Sequence, residues 1–71
     1  SITMAFKRER GEVLIEFRRV GKYVKVSAID PVSLIEVSIV GDPKRSDATL
    51  KRLAAEKLNY VLNKRGKNGK E

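Results

Sequence analysis

IEVSIVGDPKRSDATLKRLAAEKLNYVL, residues 35–62, changes its hydrophobic period halfway along. Ile35, Val37 and Ile39 alternate with Glu36, Ser38 and Val40, whereas Leu50, Leu53, Ala54, Leu58, Val61 and Leu62 recur every third or fourth position. Alternation suits a strand with one buried face, and recurrence near 3.6 suits an amphipathic helix, so the stretch predicts a strand leading into a helix. Gly41, Asp42 and Pro43 separate the two, since proline has no amide to offer a ladder and aspartate bonds its own backbone in turns. Ser46 or Asp47 is a suitable N-cap, and Gly66 suits the position just past a C-terminus. With Lys64 and Arg65 complementing the negative end of the dipole, the helix is expected from about Asp47 to Arg65.

Towards the N-terminus the period stays at two. In Glu12 to Arg19 the inward residues are Val13, Ile15 and Phe17; in Tyr23 to Ile29 they are Val24, Val26 and Ala28. Gly21 supplies the positive φ that a short hairpin needs, and Asp30 with Pro31 closes the second strand. The expected fold is α+β, a three-stranded antiparallel meander in order 1-2-3 with one C-terminal helix packed on one face, spanning residues 11–66. Residues 1–10, polar and strongly charged apart from Ile2, Met4, Ala5 and Phe6, are expected as a flexible basic arm, and Ser1 to Thr3, which precede Met4, are left out of the expected fold. Residues 67–71 have no apolar side chain and are expected as a disordered tail.

Composition narrows the chemistry. A chain of 71 residues has room for one core and buries only about 60% of the surface its unfolded state exposes. It contains no cysteine and no histidine, so disulfides, thiolate zinc sites and the commonest general base are excluded. There is no carboxylate dyad, no nucleophile beside a base, no glycine-rich phosphate loop and no metal-ligand spacing, so the chain is read as a non-enzyme without metal or cofactor. No apolar run reaches the roughly 20 residues that span a bilayer, which makes a cytoplasmic location the expectation.

The formal net charge of +7 is unevenly distributed: by residue count, segment 1–10 carries +2, segment 11–43 carries −1 and segment 44–71 carries +6. Such a field favours an anionic partner. Lys44 and Arg45 precede the helix, where free backbone N–H groups also attract anions, although a capping carboxylate at Asp47 would occupy the same place. Arg18, Arg19, Lys22 and Lys25 surround the hairpin with Tyr23 among them, a small platform of charge and one aromatic ring. On the same open face Leu14, Tyr23, Ile29 and Val40 offer an apolar alternative for a protein partner or a second copy. Lys57 falls within the apolar stripe of the helix, and its stem is expected to cover the sheet edge while its ammonium reaches water.

The strand, strand, strand, helix order, with Lys44, Arg45 and Ser46 before a helix reading Leu53, Ala54, Ala55, Glu56, Lys57, Leu58, resembles the C-terminal two thirds of a double-stranded-RNA-binding domain. That resemblance implies phosphate contacts from Lys44, Arg45 and Lys51, in a layout that lacks the family's first helix and shortens its first inter-strand loop to Val20, Gly21 and Lys22. In Glu16 to Ala28, the Asp30, Pro31 turn, Glu36 to Gly41 and Lys57 to Leu62, the chain is similar to a family of short uncharacterised proteobacterial proteins. This similarity runs from Gly11 to Gly66 and implies a bacterial single-domain protein without an assigned activity. The function expected is a small binding module that engages RNA or DNA without sequence selectivity through Lys44, Arg45, Lys51, Arg18, Arg19, Lys22 and Lys25. The alternative is a protein-interaction or homodimerisation module that uses Leu14, Tyr23, Ile29 and Val40.

Overall fold

Each of the three expected strands forms and pairs antiparallel with its neighbour, and the helix follows them. The computed structural model describes residues 2–8 and 11–69. Its elements are β1 (Ile2–Arg8), β2 (Gly11–Val20), β3 (Tyr23–Ile29), β4 (Glu36–Gly41) and α1 (Asp47–Gly69), with the strands in the order β1-β2-β3-β4.

Two boundaries differ from the sequence expectation. Over Ile2–Arg8 the expected arm is a strand, which adds a fourth member to the meander, while Ser1, Glu9 and Arg10 lie outside the described residues. Its register sets Ile2 opposite Phe17, Met4 opposite Ile15 and Phe6 opposite Val13. The period of two in Ile2, Met4 and Phe6 is a strand signal, but the charges beside it are equally those of an unstructured arm. An edge strand tolerates such charges because one side of its backbone is unpaired. The second difference is that α1 continues through Gly66 to Gly69, so the expected tail begins inside the helix; Lys70 and Glu71 lie outside the described residues. A glycine inside a helix costs only about 1 kcal/mol, and elongation from an already packed segment avoids the unfavourable nucleation step.

The turns follow local chemistry. Gly21 occupies the first central position of the β2–β3 hairpin at φ 58°, with Val20 opposite Tyr23; glycine enters this region without steric cost. Asp30 opens the β3–β4 loop by accepting the Ser33 N–H on Oδ2 at 2.8 Å and the Leu34 N–H on its carbonyl at 2.8 Å. Its own N–H donates to the Ile35 carbonyl at 2.9 Å, closing the loop at its base.

Val13, Ile15 and Phe17 of β2, Val26 and Ala28 of β3, and Val37 of β4 form the floor of the core, and Leu50, Ala54 and Leu58 of α1 form its cover. Val24, Ile35, Ile39, Val61 and Leu62 pack around this centre. The inward rows are therefore those the alternation implies. Lys57 is exposed, and its Nζ donates to the Ser38 carbonyl at 2.7 Å, so the ammonium ends on the backbone of strand β4 as its stem crosses the sheet margin.

Candidate nucleic-acid interface

Pairing register decides which cations meet. Arg19 lies opposite Val24 and Val24 opposite Gly41, so the β2–β3 hairpin and the β4–α1 connection occupy the same end of the sheet. Arg18, Arg19, Lys22 and Lys25 arrive there with the hairpin; Lys44 and Arg45 arrive with the connection and Lys51 with the start of α1. Asp42 and Asp47 are the acidic residues of these same segments, whereas Glu12, Asp30 and Glu36 sit at strand ends or loops on the opposite side of the meander. The segments that carry the seven expected cations thus reach one end of the sheet, with Arg18 and Lys25 on the face away from the helix and Arg19 on the helix face.

On the face away from the helix, Arg18 lies directly opposite Lys25, and Lys25 opposite Val40. Like charges directly opposite each other across strands are destabilising, so this pairing works against the fold. Tyr23 is opposite Val20 and in the next row to Lys25, and Tyr23, Val20 and Val40 are all more than half exposed. Cations interleaved with an exposed aromatic ring and aliphatic groups make a surface on which a charged backbone and flat rings can both rest.

The apolar alternative is divided by the same register. Leu14 and Ile29 are opposite each other and half-buried, but the row Glu16, Ser27, Ser38 separates them from Lys25 and Val40. Ser27 is buried, and its Oγ lies 3.0 Å from Ser38 Oγ, so that dividing row is polar and internally hydrogen-bonded. Leu14 with Ile29, and Tyr23 with Val40, are two small groups.

The helix start is fixed by Asp42 and Ser46. Asp42 accepts the Lys44 N–H on Oδ1 at 2.9 Å and the Arg45 N–H on its carbonyl at 3.0 Å, which sets both basic residues on a defined turn opened by Asp42 and Pro43. Ser46 Oγ accepts the Thr49 N–H at 3.1 Å and donates to Thr49 Oγ1 at 2.9 Å. Ser46 is therefore the cap, and Asp47 is an exposed residue of the first turn, where its charge complements the dipole. Ser46→Ala is expected to lower stability by about 1 kcal/mol, read as a shifted urea midpoint with an unchanged slope. An unaltered midpoint would mean that this hydroxyl does not hold the helix start.

Between the hairpin and this first turn lies a cleft of about 300 Å³. Its apolar lining comes from Phe17, Val24, Pro43 and Leu50 and its charged lining from Arg19 and Asp47, and Arg18, which belongs to the outer face, borders it. Arg19 Nε donates to the Gly21 carbonyl at 3.0 Å, which anchors the guanidinium over the hairpin. Composition identifies these cations as candidates, but Val20, Pro43 and the wall position of Asp47 become visible only through strand register and helix placement. Among the described residues no cluster of acidic side chains is placed to hold a metal ion. Nor, among these residues, is any helix long and apolar enough to cross a membrane.

Residues 10–65 match a family described as a domain of unknown function (DUF6898). No curated protein and no solved structure matches the chain significantly. Against the double-stranded-RNA-binding layout, the element preceding β2 is strand β1 where that family has a helix.

Proposed function

We propose that this chain, which belongs to the family described as a domain of unknown function (DUF6898), is a non-enzymatic module that binds nucleic acid through its phosphates and without sequence selectivity. The observation that carries the reading is the collection of Arg18, Arg19, Lys22, Lys25, Lys44, Arg45 and Lys51 at one end of the meander. The unfavourable facing pair Arg18 and Lys25 adds to it, because a bound phosphate between them turns that repulsion into attraction. Nucleic acid as ligand goes with a cytoplasmic bacterial protein that needs no cofactor. A protein or homodimer contact through Leu14, Tyr23, Ile29 and Val40 draws less support, since the polar row divides those residues.

The test is a fluorescence titration of labelled single-stranded and duplex RNA and DNA at about 50 mM salt, where phosphate contacts are strongest. Binding is expected for all, falling steeply as salt rises. Replacing both Arg18 and Lys25 by Glu should weaken it at least roughly tenfold and reduce the slope of log affinity against log salt by about 1.5, the value for two lost phosphate contacts. Absence of binding to every nucleic acid at low salt would remove the proposal.

A further inference from the structure

The cleft beside the cationic end has a composition that a purely electrostatic surface does not require. Phosphate binding needs exposed cations, yet here an opening of about 300 Å³ with four apolar residues adjoins them. That volume is at the small end of the range of about 300–1,000 Å³ for small-molecule sites. It is enough for one flat heterocycle.

We propose that this cleft accepts a single unstacked nucleobase, so that the module prefers single-stranded over duplex nucleic acid; the inference rests on the nucleic-acid reading above. Its charges say which part of a nucleotide enters. Asp47 on the wall repels a phosphate and accepts hydrogen bonds from base N–H groups, whereas Arg19, on the helix-facing side of the hairpin, attracts the phosphodiester. Val24 and Pro43 provide apolar contact for a ring face, and Phe17 and Leu50 are too deeply buried to bind anything polar. A base held there must leave its helix, which a single strand allows at little cost and a duplex resists.

The test compares an oligothymidylate of about ten nucleotides, the length an OB-fold-sized site covers, with an abasic deoxyribose-phosphate chain of equal length and charge. Methyl resonances of Val24 and Leu50 are recorded in the same titrations. The oligothymidylate should bind roughly tenfold more tightly than the abasic chain, the effect of one stacked base, and should shift both methyls through the ring current of the thymine. Equal affinities for the two chains would overturn the cleft assignment and leave general phosphate binding standing. Tighter binding of the oligothymidylate with shifts confined to Tyr23 and Val40 would also overturn it, placing the base on the open face. If neither chain binds at low salt, the nucleic-acid reading fails and this inference with it.

Discussion

Leu58→Ala is expected to lower the free energy of unfolding by about 3 kcal/mol, within the range of about 2–5 kcal/mol for emptying a buried leucine site. Leu58 is 0% exposed and lies on the helix stripe with Leu50 and Ala54, facing the rows of Val13, Ile15, Val26 and Ala28. The small neighbours Ala54 and Ala28 have no side chain with which to fill the void, so relaxation recovers little. A domain of this size has a total stability near the low end of the usual 5–15 kcal/mol, so such a loss removes much of it. Urea denaturation followed by circular dichroism measures it. A loss under about 1 kcal/mol would contradict the packing of α1 on the sheet, because surface sites change stability by about 0.5 kcal/mol or less.

Gly41→Val is expected to destabilise by about 2 kcal/mol through overpacking. A Cβ at residue 41 would lie 2.5 Å from Leu50 Cδ2, and Leu50 is only 2% exposed, so its displacement disturbs the core. The sign is diagnostic. In an ordinary strand, valine in place of glycine favours the extended conformation and adds buried surface, and the substitution stabilises. Here the Leu50 side chain in the first turn of α1 rests against the strand end, and a side chain at residue 41 has to push it aside within the core. Gly41→Ala should show the same sign with a smaller loss, because the tip of Leu50 can yield more readily to one methyl group. Stability equal to the parent in both variants would mean that the helix start stands further from β4.

The strands β2, β3 and β4 are legible because Val, Ile and Phe alternate there with polar residues, and Gly21, Asp30, Pro31 and Asp42 mark their ends. Strand β1 is harder to read since its apolar positions end in the charged Lys7 and Arg8, and pairing with β2, which is a tertiary event, supplies the deciding interaction. The helix start is legible as a choice between Ser46 and Asp47; only hydrogen-bond geometry assigns the cap to Ser46. Gly66 misleads as a terminator, because an extending helix tolerates one glycine.

For the site, composition picks out Arg18, Arg19, Lys22, Lys25, Lys44, Arg45 and Lys51, but two segments about twenty residues apart in sequence meet only through the register of β3 with β2 and β4. The apolar patch has the opposite fate. Leu14, Tyr23, Ile29 and Val40 share a face by parity, yet parity says nothing of the serines between them, and the row of Glu16, Ser27 and Ser38 divides it. The cleft is invisible to any periodic reading, since Pro43 and Asp47 come from a loop and a helix turn whose approach to the hairpin depends on the close contact of Gly41 with Leu50.

The bond from Lys57 to the Ser38 carbonyl bears on how copies of this domain can associate. A free strand margin recruits further chains through its unsatisfied carbonyls, and here one such oxygen at the centre of β4 already holds an ammonium. Runaway fibre growth needs two receptive margins per molecule, one to join and one to be joined. With that oxygen occupied, β4 is the poorer of the two margins for pairing, which favours a closed, two-fold pair through β1 over growth into a polymer.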